Sequence, residues 1–153
     1  HPQPDGWRLQ PFVMGGLSMS RYSAFSSCPS LQDLLTMQAE RFKPYIDHGI
    51  HVIIAQESDG SVTIGDSHAY GNGRALPRSS EIDALILKDA ADMVSLAEPR
   101  IAERWLGHYA YLPNASSLIF SPKDGVTAVS QTNGQGMTHG FSIAEEVIAD
   151  IVR

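Results

Sequence analysis

Cysteine is almost absent: Cys28 is the single one in 153 residues. No disulfide can close within the chain, and the composition fits a reducing compartment. Basic residues are scarce too, with 11 Lys and Arg against 17 Asp and Glu and a formal charge of −6. No basic run occurs, so a phosphate-tracking surface has nothing to be built from, and nucleic acid is not expected as a partner. Long apolar runs are missing. The stretch from Ile50 to Ala55 is interrupted by His51 and falls far short of the roughly 20 residues that cross a bilayer. Nothing at the start reads as a charged-then-apolar leader. The expectation is a cytoplasmic protein with no membrane partner.

Three chemical signatures are also lacking. His48 and His51 are three residues apart, and His68, His108 and His139 are scattered, without the His-x-x-x-His spacing that places two ligands on one helix face. No metal is expected. The Gly-x-Ser-x-Gly elbow of a serine nucleophile does not occur. Gly134-x-Gly136-x-x-His139 lacks the third glycine of a dinucleotide-binding fingerprint, and no second strand with a ribose-binding acid follows it.

What is present is the balance of a globular domain, 42% hydrophobic and 18% charged. From Trp7 to Phe25, apolar residues around Gly15-Gly16 predict two short strands about a bend. Leu31, Leu34, Leu35, Gln38 and Phe42 recur at helical spacing behind Ser30-x-x-Asp33, which predicts a capped helix ending near Pro44. Ile50 to Gln56 and Ser61 to Asp66 flank Asp59-Gly60, the signature of a hairpin. A Gly/Pro-rich connection from Gly71 to Pro77 leads into Ser80-x-x-Asp83 and an amphipathic helix closed by Pro99. Ile101 to Tyr111 reads as a long strand. Leu118 to Phe120 and Val126 to Ser130 form a second hairpin about Asp124-Gly125, and a final helix carries Phe141, Ile143, Val147, Ile148 and Ile151. The order predicts an α+β fold, an antiparallel or mixed sheet with flanking helices and a C-terminal helix.

The chemistry of greatest interest lies in the turn Asn133-Gly134-Gln135-Gly136 before that helix. Glycines let a ligand approach backbone N–H groups, and a helix N-terminus favours an anion or polarised carbonyl. An ordinary strand-to-helix turn is the competing reading. The hairpin His51 to Asp66, the helix Ser80 to Leu96, Arg104-Trp-Leu-Gly107 and Thr132-Asn-Gly-Gln-Gly-Met-Thr-His-Gly140 together resemble, in order and spacing, the D-amino-acid oxidase, glycine oxidase and sarcosine oxidase superfamily of flavoenzymes. Gly15-Gly-Leu-Ser, Ile64-Gly-Asp-Ser-His68 and Gly107-His-Tyr-Ala110 resemble most a subgroup found alongside phosphonate-degrading enzymes.

That resemblance implies an FAD-dependent oxidoreductase that oxidises the C–N bond of an amine or amino acid, an aminophosphonate among the candidates, by hydride transfer to flavin. It implies residues 1–130 as a substrate-binding domain and 131–153 as the closing flavin loop and helix. Asn133, Gly134, Gln135, Gly136, Met137 and Thr138 would contact non-covalent FAD. Tyr109, His68, Tyr70 and Arg21 would face the substrate, with the catalytic group unassigned. Tyr109 stands where such amino-acid oxidases commonly carry an Arg, which removes the bidentate carboxylate contact. The start at His1-Pro2-Gln3-Pro4 suggests a piece of a longer polypeptide whose N-terminal FAD-binding half is missing. A fragment of that kind should hold no FAD, be inactive and self-associate. The alternative is a non-catalytic α+β ligand-binding or interaction module.

Overall fold

A computed structural model describes residues 4–22, 25–71, 79–97, 100–113 and 115–152. The connection after Gly71, Pro99 and the His1 boundary lie outside them. The architecture is α+β with two small antiparallel sheets. It divides into two compact units, one ending at Trp105 and the other beginning at Leu106.

The first unit is built on the Asp59-Gly60 hairpin. Gly60 takes φ +85°, which a side chain would resist, and strands β2 (Ile53–Gln56) and β3 (Val62–Gly65) pair from Gln56↔Val62 to Ile53↔Gly65. A two-residue strand, β1 (Val13–Met14), adds to β2. The second strand expected after Gly15-Gly16 is instead helix α1 (Leu17–Arg21). The Gly15 amide donates to the Val52 carbonyl at 2.7 Å, and the Gly15 carbonyl accepts from Ser18 at 3.1 Å. The ladder therefore ends at Gly15 and the chain turns into a helix that buries Leu17 and Ser18.

Helix α2 (Leu31–Arg41) matches the expected span, but Ser30 makes no side-chain cap. Pro44 does not merely stop it: a new helix, α3 (Lys43–Asp47), starts with that proline in its first turn, where a missing N–H costs nothing. Helix α4 (Ser80–Met93) is capped one residue earlier than the sequence suggested, by Ser79, whose Oγ accepts from the Ile82 amide. Leu17, Tyr45, Ile50, Val52, Ile54, Val62 and Ala90 form the buried core, with Ile82, Leu85, Ile86 and Met93 of α4 packed on it. Each fully buried aliphatic side chain contributes about 1.5–3 kcal/mol.

In the second unit, β4 (Ser117–Lys123) and β5 (Val126–Gln131) pair about Gly125, whose φ is +73°. The register shifts between Phe120 and Lys123, where Pro122 has no N–H to give the ladder. Helix α5 (Gly136–Ile151) follows. The strand expected over Ile101 to Tyr111 does not form; residues 100–112 carry no regular structure. Aromatic and aliphatic residues give that stretch β propensity, but a strand exists only by pairing. Its polar groups are met otherwise: Arg104 Nε donates to Asp83 Oδ2 at 2.6 Å, and the Ala110 carbonyl accepts from the Asn133 amide at 2.8 Å.

Asp89 on α4 is a local weakness. Its Oδ2 is buried and has no hydrogen-bond partner among the described residues. Burial, then repulsion from Asp92, raises its carboxyl pKa above the ordinary value. A raised carboxyl pKa means that the folded chain binds a proton more tightly than the unfolded chain, so stability falls as pH rises through that range. Asp89→Asn should therefore stabilise the protein near neutral pH by on the order of 1 kcal/mol, with the gain shrinking in acid. Urea unfolding at both pH values checks this; a less stable variant at neutral pH would mean that the carboxylate is satisfied there.

Candidate functional site

The open end of the first sheet gathers ionisable side chains. Beyond the ladder, His51 and Asp66 exchange backbone hydrogen bonds at 3.2 Å in both directions, and the His68 amide donates to the His48 carbonyl at 3.2 Å. The hairpin thus brings the entry to β2 against the exit from β3. Gly49, at φ +58°, sits so close to His68 that a Cβ would lie 2.6 Å from the His68 carbonyl oxygen. No other residue fits there.

Both imidazoles turn one nitrogen to an anchor and the other to Asp66. His51 Nδ1 is 3.2 Å from Ser18 Oγ, and its Nε2 is 3.6 Å from Asp66 Oδ1. His68 Nδ1 is 3.0 Å from the Gly49 carbonyl, and its Nε2 is 3.4 Å from Asp66 Oδ2. The two rings stack with centroids 4.9 Å apart, Tyr70 stacks on His68 at 6.3 Å, and Tyr22 meets His51 edge-on. Arg21 lies over the Tyr70 ring, 5.9 Å from its centroid.

Burial, then the positive charge of Arg21 and the neighbouring His68, lowers the His51 pKa to about 3. His68 is lowered chiefly by burial, against the opposing pull of Asp66. Both rings are neutral at physiological pH. Burial among these groups raises the Asp66 carboxyl, although 57% of its side chain is open to solvent, which moderates the effect. One ligand atom from each of His51, Asp66 and His68 lies within 4.8 Å of the others.

Three of the four expected substrate residues, Arg21, His68 and Tyr70, therefore stand together. His51, Asp66 and Ser18 were not singled out from sequence. The hairpin register, read outward from Asp59-Gly60, brings these segments together but would set Val52 opposite Asp66; the His51–Asp66 pairing is shifted from it by one residue. Scanning for local histidine spacing misses side chains that the two ends of a hairpin bring together.

Tyr109, the fourth, belongs to the second unit, where its ring packs on the turn before α5. A Cβ at Gly134 would meet that ring at 3.5–3.8 Å. Asn133 and Gly134 both take positive φ, 61° and 69°, so Gly134 is the glycine that this turn requires. Gly136 has an ordinary φ, and a Cβ there would find only van der Waals contact with Gln131 at 3.6 Å.

The turn is braced from behind. Asn133 Oδ1 accepts from the Leu112 amide at 2.9 Å, and its Nδ2 donates to the carbonyls of Leu112 and Ala115 at 3.0 and 3.1 Å. Buried Thr132 donates from Oγ1 to the Ala115 carbonyl at 2.9 Å. The Gln135 amide closes the turn on Thr132 at 3.2 Å. The amides of Gly134, Gly136 and Met137 find no acceptor among the described residues, and they open at the N-terminus of a 16-residue helix. That donor set suits an electron-rich carbonyl or ring nitrogen.

Comparison with protein-family models, with curated proteins and with solved structures finds no match. No helix among the described residues is long and apolar enough to cross a membrane.

The brace makes a direct prediction. Asn133→Ala removes three side-chain hydrogen bonds and places a Cβ-only side chain at positive φ, costing on the order of 2 kcal/mol. Hydrogen exchange at the Leu112 amide should accelerate. Protection unchanged from the wild type would mean that another acceptor holds that amide.

Proposed function

We propose that the chain is the substrate-binding part and closing flavin loop of an FAD-dependent oxidoreductase acting on the C–N bond of an amine or amino acid, aminophosphonates included. The observation that carries this reading is the braced Asn133–Met137 turn, with three open amides at the head of α5. Its donors fit the pyrimidine edge of a flavin, where electron density gathers on reduction. Bound there, FAD would supply the hydride acceptor. The turn's part is electrostatic: preorganised N–H groups and the helix dipole stabilise the reduced ring more than the oxidised one and raise its potential.

Tyr109, packed against Gly134, offers a phenol, which has no positive charge to give. It gives a substrate carboxylate no ion pair, which argues against simple α-amino carboxylates held in the bidentate way. Within the first unit, Arg21 lies over Tyr70, which stacks on His68, and an anionic group there would meet positive charge. This sequence contains no ADP-binding fingerprint, so the chain by itself should be colourless.

The test is the full-length gene product. It should purify with non-covalent FAD that amines reduce. Gly134→Val should weaken flavin binding and lower the reduction potential, by at most about 3 kcal/mol, in a spectroelectrochemical titration. A full-length protein without flavin would overturn the reading. A wild-type potential and full FAD occupancy in Gly134→Val would remove the turn from it.

A further inference from the structure

We propose that His51, Asp66 and His68 form a binding site for a divalent transition metal of the zinc class, with an open coordination position that takes an anion. The Gly49 carbonyl can only accept, so the nitrogen facing it at 3.0 Å, His68 Nδ1, carries the proton. In the neutral ring Nε2 is then the basic nitrogen, the one able to bind a cation, and it lies 3.4 Å from Asp66 Oδ2.

His51 repeats the arrangement. Ser18 Oγ, fully buried, either donates or accepts at 3.2 Å from His51 Nδ1, so the ring can take the tautomer that frees Nε2 toward Asp66 Oδ1, 3.6 Å away. Two imidazoles anchored through Nδ1, with Nε2 turned to a shared carboxylate, are what a two-histidine, one-carboxylate site needs. The anchors fix tautomer and ring orientation before any metal arrives. Donors in a tetrahedral zinc shell stand about 3.3–3.5 Å apart, close to the two Nε2 to oxygen separations.

Three protein donors leave a coordination position open. Arg21, near enough to depress both histidines, opposes a bare cation and favours an anionic ligand in that position. The site shares Arg21 and His68 with the substrate reading above, but metal binding needs no flavin and is tested separately from it.

The test is a Co²⁺ titration of the metal-free chain near neutral pH in a non-coordinating buffer. One equivalent should bind saturably with visible d–d absorption. Asp66→Asn, at an exposed side chain, and His68→Ala should each weaken binding at least about tenfold, and Ser18→Ala about tenfold. Arg21→Gln should tighten binding in the absence of added anion and remove the enhancement produced by phosphate. Zn²⁺ added to wild-type protein labelled with ¹⁵N-histidine should shift Nε2 of both rings, a readout that needs no variant. No saturable binding, or ¹⁵N shifts confined to other histidines, would overturn the proposal and leave a proton as the only cation in the cluster.

Discussion

The β2–β3 register is the constraint on which the first unit depends. Pairing Ile53 with Gly65 and Gln56 with Val62 puts Val52, Ile54 and Val62 into the core together. A one-residue slip would turn every one of those side chains to the opposite face. Past the regular ladder the pairing shifts by one residue, to the mutual His51–Asp66 hydrogen bonds, and that shift sets two imidazoles against a carboxylate.

How much of this is legible in the sequence varies with the range of the interaction. Both hairpins are, because Asp59-Gly60 and Asp124-Gly125 specify positive φ locally and the flanking alternation does the rest. The long helices are too, since their apolar spacing is internal to each segment. Their caps are less so: Ser79 and Ser80 are equally good candidates, and the choice falls to whichever lies in extended backbone as the chain enters α4. Ser79 does, at φ −121° and ψ 123°. Residues 101–111 show the limit most clearly. Side chains suited to a strand fix no strand without a partner, and here the Ala110 carbonyl is taken by the Asn133 amide rather than by a neighbouring strand.

The candidate sites divide along the same line. Arg21, His68 and Tyr70 were identified individually from sequence, but their assembly with His51 and Asp66 comes from strands joined through the hairpin, and nothing in local spacing encodes it. In the second unit the glycine-rich turn is visible from sequence, whereas the assignment of duties within it is not. Gly134 carries the positive φ and the aromatic contact, and Gly136 is the first residue of a helix. Only the backbone angles separate the glycine that a turn demands from the one that it tolerates.

The second unit poses a different physical question, which is what its apolar surface is for. In β4, Leu118, Ile119 and Phe120 are each 46–48% exposed. Three consecutive apolar residues have no polar alternation, the pattern of a strand covered on both faces rather than one. Helix α5 behaves likewise. Ile143, Val147 and Ile148 line a groove with Val129 of β5, and Met137, Phe141 and Ile151 extend the same apolar face as an outer stripe that is 58–96% exposed. A helix with so broad an apolar face is suited to burial against a further layer, and none of its residues is buried among the described residues. Water is a poor neighbour for that much continuous hydrocarbon. The amide-bearing end of α5 is thus held by a helix whose outer stripe calls for further packing, and whatever covers that stripe also sets the position of the Asn133 turn.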